Sequence, residues 1–420
     1  MMFQILRIVI LACIVLCPGV IYSQTRDTLS LRQSIDLSIK NNLKLISAEL
    51  NVKQNDLHLR ELKSSRYPPI FFHSRFLHAP VSGYNEVVTN GGEYGVQISA
   101  GYPLYDGGIR SATIDQSINN GERAAIDLQK NKIEIAFTVR TIYYEILRTE
   151  EEIRIRRETV ERLNDYVVLL NQLRLGGNAT GSDVLKANVD LNNSNISLDQ
   201  AIISLHKSRL MLTNVTGVTL NRMLEILPVD SEDSTSMPQF STGNNPELQL
   251  LQREKLSAGY DAAIARGERL PVLSVTGDVG VLGVMPAEFR HNIGYSLLFT
   301  LEIPVFTWGG IDYRIERKEI AYRQIETQFL IQQRDLETEW SLTMSDLELA
   351  RKNAIGYANN ISEADRNFLS AKSRMAGGSG SNLEVLDAQR LLVEAKLNYN
   401  QTVFQLRYDL ALALKLSGQL

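Results

Sequence analysis

Acidic side chains beside glycine-rich breaks are the residues of this chain whose type and spacing suggest chemistry. Glu384 and Asp387 lie three positions apart, directly after a Gly- and Ser-rich break at residues 377–381. Residues three apart in a helix share one face, so both carboxylates would project together from its first turns. Such a pair can attract cations, or it can simply stabilise the helix N-terminus through the helix dipole. Asp183 follows a similar break at residues 176–181.

The two breaks have the same design and are separated by 200 residues, counted from Arg174 to Arg374. In each, glycines end a long helical pattern, and small polar residues can cap the helix that follows. In the second break the candidate cap is Ser381 or Asn382. The sequence therefore predicts two helical hairpins with an acid just after each tip. The tip residues are Arg174, Gly177, Arg374 and Gly378.

Other kinds of site find no support in the sequence. The histidines have no metal-ligand spacing and are scattered at His58, His73, His78, His206 and His291. There is no recognised phosphate-binding glycine loop and no nucleophile elbow. The net charge of −4 and the pI of about 5.9 do not fit a nucleic-acid partner. We therefore expect no enzymatic activity, no cofactor, no metal centre and no nucleic acid.

The N-terminal segment has the pattern of a secretory signal peptide. An apolar run covers residues 8–16, and Ser23 provides a small residue for cleavage, so residues 1–23 are predicted to be removed. Both cysteines, Cys13 and Cys17, lie in this segment, and the mature chain is expected to have no disulfide or thiol chemistry. After residue 23 no apolar run reaches the ~18–20 residues of a membrane helix.

Four short segments alternate with period two between apolar residues and small or polar residues. They are residues 70–78, 94–102, 273–281 and 293–303. One apolar face and one small or polar face is typical of strands in a membrane β-barrel, although each segment alone is a weak signal. The sequence thus predicts a membrane β portion of four strands.

Long helices account for most of the remaining chain. Residues 109–175 and 311–376 contain no proline and keep apolar spacings of three, four or seven, which predicts helices roughly 100 Å long. Helices of this length need partners side by side, as in a coiled coil. Shorter helices are predicted at residues 29–65, 182–216 and 382–416, and one begins at Asn244-Asn-Pro-Glu-Leu.

The order of helix, two strands, long helix, tip and helix occurs twice, so the chain is a tandem duplication. After the signal peptide we predict a first repeat at residues 24–218, a polar link at 219–243 and a second repeat at 244–420. Four strands cannot close a membrane barrel, and open strand edges are not tolerated in lipid. Three copies of four strands would give twelve, enough to enclose a lumen. The predicted fold is thus mainly α, with a trimeric 12-stranded β-barrel continuous with a periplasmic α-helical barrel.

These duplicated features resemble the TolC family of outer-membrane efflux channels, over about residues 28–418. The resemblance is carried by the two tips, by the helix start at Asn244 and by two strand-to-helix turns. The turns are Pro103-Leu-Tyr-Asp-Gly-Gly, with Gly107 and Gly108, and Pro304-Val-Phe-Thr-Trp-Gly-Gly, with Gly309 and Gly310. The resemblance implies a homotrimer in the outer membrane of a Gram-negative bacterium, with a helical extension into the periplasm.

The same resemblance implies a passive exit duct of a tripartite efflux or type I secretion system. Its cargo would be small molecules, ions or exported protein, and its partners would be a periplasmic adaptor and an inner-membrane transporter. A secreted coiled-coil structural or adhesive protein is the alternative function. That alternative does not explain four alternating strands at duplicated positions.

Glu384 and Asp387 match the paired acids that line the periplasmic constriction in this family. Two acids from each of three copies would place six carboxylates in one ring, which predicts a cation-selective closed state that multivalent cations block. Asp183 matches an acid that latches the closed tip to a basic residue on the other hairpin. The corresponding position here is Gly380, so the sequence leaves this latch without its basic partner. The alternative for all three acids is an ordinary place at a helix N-terminus.

The resemblance also implies roles for the residues at the turns. It assigns contact with the adaptor's helical hairpins to the tip residues Gly177, Gly378, Arg174 and Arg374. Chain reversal alone is the alternative role for the two glycines. Trp308 and Tyr102 are interpreted either as aromatics at the membrane interface or as packing under the barrel rim.

Overall fold

Long helices and one four-stranded sheet make up the computed structural model, which describes residues 28–78, 92–217, 225–226, 238–283 and 293–419. The predicted signal peptide, both cysteines and most of the predicted link lie outside these residues. The helices are α1 (Leu31–Asn41), α2 (Leu43–Ser64), α3 (Ile109–Leu175), α4 (Gly181–Thr216), α5 (Pro246–Gly267), α6 (Gly310–Ala376) and α7 (Asn382–Leu416). The strands are β1 (Thr28–Leu29), β2 (Ile70–His78), β3 (Gly92–Tyr105), β4 (Glu225–Ile226), β5 (Val272–Gly283) and β6 (Ile293–Glu302).

The prediction of a single helix at residues 29–65 is wrong in one respect, because the structure divides it into α1 and α2 at Asn42. Asn42 has an extended backbone, and its side chain accepts a hydrogen bond from the backbone N–H of Lys44. Asparagine competes in this way with the hydrogen bonds of a continuous helix. Asn245 caps α5 by the same kind of bond in the second repeat.

The four predicted strands form one antiparallel sheet in the order β2-β3-β5-β6. The central β3–β5 pair joins the two repeats, with Ile98 opposite Val279. Strands β2 and β6 are the edges of the sheet within the described chain, and every residue of both strands is exposed. Along β6 the large apolar side chains on one face are Ile293, Tyr295, Leu297, Phe299 and Leu301. Among the described residues of one copy, nothing covers these side chains of β6.

Two helical hairpins, α3 with α4 and α6 with α7, form the rest of the molecule. Helix α5 packs against both α3 and α6, and α7 packs along α3, so the hairpins lie side by side. An apolar core around Val139, Tyr143 and Ile146 of α3 includes Leu45 of α2 and Leu212 of α4. The predicted tandem duplication and mainly helical fold are confirmed.

None of the helices in the described part of the chain combines the length and the hydropathy of a membrane-spanning helix.

Candidate gate at the two helical tips

The first tip joins α3 to α4 through a tight turn. Gly177 has a positive φ of 79° just beyond the end of α3, a conformation that favours glycine. Thr180 caps α4, and the Asp183 carboxylate accepts hydrogen bonds from the Thr180 backbone N–H and hydroxyl, at 2.9 and 2.6 Å. These two bonds from Thr180 hold the pKa of Asp183 below its ordinary value. The tip is therefore closed by a capping box.

The second tip has the same backbone turn, with Gly378 at a φ of 77° and Ser381 as the cap of α7. Gly380 lies against the end of α6, where an added Cβ would be only 2.8 Å from the backbone nitrogen of Met375. This close approach explains why the position carries no basic side chain. Glu384 completes no capping box, because its carboxylate accepts a hydrogen bond from the Arg374 guanidinium at 3.1 Å.

Asn382 connects the two tips, a contact that the sequence analysis did not find. Its buried side-chain amide donates to the backbone oxygen of Asp183 at 3.1 Å and to the Asp183 carboxylate at 3.3 Å. The Asn382 side-chain oxygen accepts a hydrogen bond from the Tyr166 hydroxyl at 2.9 Å. Burial and the nearby charge of Asp183 raise the pKa of Tyr166, so the hydroxyl remains a donor. Because Ser381 is the cap of α7, Asn382 is available to bond across to the first hairpin.

Apolar packing lies beside these polar contacts. Tyr166 belongs to a buried cluster to which both hairpins contribute, and Asn382 is hydrogen-bonded to it. Its apolar members include Leu170, Val184, Ala187, Phe368, Ala371, Met375, Val385, Ala388 and Leu392. The two tips of one copy are therefore a single packed unit.

The two predicted gate acids are exposed, and each has an arginine partner. Glu384 pairs with Arg374 at 3.1 Å, and Asp387 pairs with Arg390 at 2.8 Å. Ion pairs this exposed are screened by solvent and contribute little to stability. They do change the local charge, because each carboxylate is accompanied by a cation. Asp183 does not join these two acids, since Thr180 and Asn382 hold its carboxylate.

A groove of about 830 Å³ lies between α4 and α7, with α3 as its floor. Its lining is apolar at Leu163, Leu185 and Val393 and charged at Lys186, Asp190, Asp387 and Arg390. Gln389 is buried in the wall, and neither atom of its amide has a hydrogen-bond partner among the described residues. No group of His, Cys, Asp and Glu in the described ranges is arranged to hold a metal ion.

The predicted strand-to-helix turns lie at the other ends of α3 and α6. Pro103 is the third residue from the end of β3, and Pro304 is the second residue after the end of β6. Gly310 is the first residue of α6. Tyr102 packs its ring against the guanidinium of Arg110 at 4.6 Å. The turn residues with positive φ are Gly107, Gly108, Trp308 and Gly309.

Comparison with known proteins agrees with this architecture. A family model described as outer membrane efflux protein matches residues 34–218 and 237–414. The chain is 22% identical to the cobalt-zinc-cadmium resistance protein CzcC of Cupriavidus metallidurans, over 71% of each chain. It is 18% identical to the outer membrane efflux protein BepC of Brucella suis, over 98% of this chain and 89% of that one.

Solved structures share the fold. The structure of CusC is similar with a TM-score of 0.85 at 16% identity, over 92% of each chain. That of VceC from Vibrio cholerae is similar with a TM-score of 0.83 at 16% identity, over 92% of this chain and 96% of the other. One segment of the family match lies within the predicted first repeat, and the other begins in the predicted link and ends within the predicted second repeat. The chain therefore belongs to the outer membrane efflux protein family.

Proposed function

We propose that three copies of this chain form the exit duct of a tripartite efflux or secretion system in the outer membrane of a Gram-negative bacterium. The four strands of each copy contribute one third of a β-barrel, and the hairpins form a helical barrel in the periplasm. Cargo that an inner-membrane transporter delivers through a periplasmic adaptor passes through the duct without further energy input. The observation that carries the proposal is that β2 and β6 are open edges of the sheet among the described residues. Beside these edges, α2 and α6 expose apolar side chains that have no packing partner among the described residues.

The interface between copies follows from the duplication. Within the chain, β3 of the first repeat pairs with β5 of the second, and α3 packs on α5 beside this joint. By the duplication, the counterpart of the β3–β5 pair is β6 with β2, and the counterpart of the α3–α5 contact is α6 with α2. Within the described chain β6 does not pair with β2, and α6 does not pack on α2. A neighbouring copy would supply each missing partner and close the edges that lipid does not tolerate.

Exposed apolar side chains support this interface. On α2, Leu43, Leu50 and Leu57 recur every seven residues and are exposed. On α6, Tyr313 and Ile320 are exposed with the same spacing. A seven-residue apolar stripe that has no cover in its own chain is typical of a coiled-coil seam. We therefore infer that α2 of one copy packs along α6 of the next.

The periplasmic constriction in this proposal is formed by the tips, with Glu384 and Asp387 at the lumen. Their arginine partners lower the net negative charge of the ring. We therefore expect weaker cation selectivity than an unpaired ring of acids would give. Asp183 contributes differently, because Asn382 holds it to the second hairpin of the same copy. This hydrogen-bonded link replaces the charged latch that Gly380 cannot provide.

The adaptor is expected to contact the turns of the two tips. Gly177 and Gly378 shape these turns. Arg374 is engaged by Glu384, whereas Arg174 forms no ion pair within the described part of the chain. Arg174 is therefore the tip cation that is available to a carboxylate of the adaptor.

Fractionation and planar-bilayer recording test the proposal. The protein should be found in the outer membrane as a detergent-resistant trimer, and the purified trimer should produce discrete conductance steps. A soluble secreted product, or a trimer that never conducts, would contradict the proposal. The first outcome would favour the secreted coiled-coil alternative.

A further inference from the structure

The two strand-to-helix turns have the same backbone but differ in one residue type. In the first turn Gly107 and Gly108 have positive φ values of 69° and 82°. In the second turn Trp308 and Gly309 take the same two places, at 53° and 77°. Trp308 is the single non-glycine residue with positive φ in the described part of the chain. A bulky side chain is strained in this conformation, so its presence points to a contact that requires it.

Gly107 is closely enclosed within its own chain. A Cβ at this position would collide with the carbonyl oxygen of Gly267 and would lie 3.1 Å from the Cβ of Leu270. A Cβ at Gly267 would in turn lie 2.7 Å from the side chain of Ile109. The first turn therefore meets the end of α5 backbone to backbone, and both surfaces need glycine.

Trp308 has no such enclosure among the residues that the structure describes. Trp308 as a whole residue is 85% exposed, and its ring makes an edge-to-face contact with Phe306 at 4.6 Å between ring centroids. Nothing in the described part of the chain covers the rest of the indole ring. The strain at Trp308 therefore has no explanation among the described residues of one copy.

The end of α2 is the counterpart of the end of α5. Ser64 and Tyr67 stand in the places of Gly267 and Leu270, and both helices close with the same turn. The Tyr67 N–H donates to the Ser64 carbonyl at 3.0 Å, and the Leu270 N–H donates to the Gly267 carbonyl at 2.9 Å. Tyr67 is 76% exposed, so the described residues of one copy also leave its side chain largely uncovered.

We propose that Trp308 of one copy packs against Tyr67 and Ser64 at the end of α2 in the neighbouring copy. The inference rests on the trimer proposed above, in which β6 pairs with β2 of the next copy as β3 pairs with β5 within the chain. That pairing would place the second turn of one copy at the end of α2 in the next copy. Within the chain, the β3–β5 pairing places the first turn at the end of α5 in the same way. Between copies an indole ring fills the space that two glycines close within the chain.

Lipid is the competing occupant, because exposed tryptophan is common at membrane interfaces. An anchor in lipid requires no particular backbone conformation, whereas a contact against a fixed helix end does. The positive φ of Trp308 therefore favours a protein surface. Within the chain the counterparts of these residues, Gly107 and Leu270, are already in contact. That contact predicts the distance between Trp308 and Tyr67 of neighbouring copies.

Cysteine cross-linking tests this geometry. A Cβ at Gly107 would lie 3.1 Å from the Cβ of Leu270, so positions 308 and 67 of neighbouring copies should be close to the ~3.5–4.5 Å range of a disulfide. The double variant Trp308→Cys/Tyr67→Cys should form linked dimers and trimers on a non-reducing gel. The matched control Trp308→Cys/Leu270→Cys should form none, because Leu270 lies at the first turn.

Tryptophan fluorescence tests the lipid alternative. The chain has two tryptophans, so Trp340→Phe leaves Trp308 as the single emitter. In vesicles of brominated phosphatidylcholine we expect little quenching of Trp308. A reporter placed on the outer sheet face, Tyr295→Trp in a Trp308→Phe/Trp340→Phe background, should be strongly quenched.

The outcomes separate this contact from the duct itself. Equal quenching at positions 308 and 295, or absence of the 308–67 link in a conducting trimer, would overturn the contact and leave the proposed duct intact. A protein that forms no trimer at all would overturn both. A ladder specific to the 308–67 pair, with weak quenching of Trp308, would support the contact.

Discussion

The tips of the two helical hairpins follow one design but use their acids differently. In the first hairpin Asp183 folds back onto its own cap, Thr180. In the second hairpin the equivalent acid, Glu384, turns away from its cap and pairs with Arg374. One carboxylate is thus used to fix a helix start, and the other is left in solvent with a partner that can be exchanged.

The hairpins also differ halfway along their length. Arg209 of α4 pairs with Glu150 of α3 at 2.8 Å. In the second hairpin Asp409 of α7 is only 3% exposed, and one of its carboxylate oxygens has no hydrogen-bond partner among the described residues. Its other oxygen accepts a hydrogen bond from Gln405 at 2.8 Å. Arg209 thus has an acidic partner within its own hairpin, whereas one oxygen of the buried Asp409 carboxylate has no partner among the described residues.

Loss of the link between the tips should have the largest effect. Asn382→Leu removes three hydrogen bonds and leaves the Tyr166 hydroxyl buried without its acceptor. The free energy of unfolding should therefore fall by about 3 kcal/mol. Thermal melts should show a lower Tm, and planar-bilayer recordings should show a leakier closed state. Gln389→Leu is the matched control one heptad later, because that buried amide has no partner to lose. An equal loss of stability in both variants would contradict the link.

The buried acid of the second hairpin should have the next largest effect. Burial and the charge of Asp346 raise the pKa of Asp409. Because its folded pKa is above the unfolded value of about 4, its contribution to stability is full below that value and is lost as pH rises through the folded pKa. Asp409→Asn should therefore stabilise the protein at pH 7 by about 1–2 kcal/mol and have little effect near pH 4.

Arg209→Met in the first hairpin should change stability at pH 7 in the opposite direction from Asp409→Asn. It leaves Glu150 without its cation, so it should lower the Tm at pH 7. Thermal melts across pH 4–8 measure both variants. An Asp409→Asn curve parallel to the parent curve would show that Asp409 does not titrate in the fold.

The capping residues should have smaller effects. Thr180→Ala removes a reciprocal capping box and should cost about 1 kcal/mol, whereas Ser381→Ala removes one bond of 3.3 Å and should cost less. Because the pKa of Asp183 is lowered in the fold, its contribution is present above its unfolded pKa and is lost as pH falls through the folded pKa. Thr180→Ala should flatten the acid limb of the Tm–pH curve. An unchanged limb would place the acid sensitivity elsewhere.

The sequence predicted the elements well because their signals are local. Helix α7 has the predicted bounds, and the alternating segments became the sheet, since periodicity and breaks depend on neighbouring residues. The break at Asn42 was missed because apolar spacing continues across it. In the sequence, a helix cap such as Asn42 cannot be distinguished from a polar residue on the exposed face of a continuous helix.

The site was less predictable because its contacts join residues far apart in sequence. Asn382 and Tyr166 are 216 positions apart, and no local pattern relates them. The arginine partners of Glu384 and Asp387 were also not found, although Arg390 lies three residues beyond Asp387 on the same helix. That spacing was the signal that could have predicted a paired acid.

Charge at the second tip should give the smallest change in stability but a clear change in selectivity. These exposed pairs contribute less than about 1 kcal/mol each, so melts should hardly move. In the trimer, Glu384→Gln/Asp387→Asn leaves the arginines and should shift the permeability ratio towards anions. Arg374→Gln/Arg390→Gln leaves the acids and should shift it towards cations, most strongly at low salt, where the Debye length exceeds about 10 Å.

Reversal potentials in a salt gradient measure both shifts. Arg366→Gln is the control, because its pair with Glu363 lies elsewhere on the second hairpin. The same permeability ratio in all variants would remove the second tip from the conduction path. Opposite shifts of the permeability ratio in the two tip variants, with no shift in the control, would show that the acids and arginines of the second tip both act on permeating ions. Selectivity would then depend on the net charge of the ring and not on the number of its carboxylates.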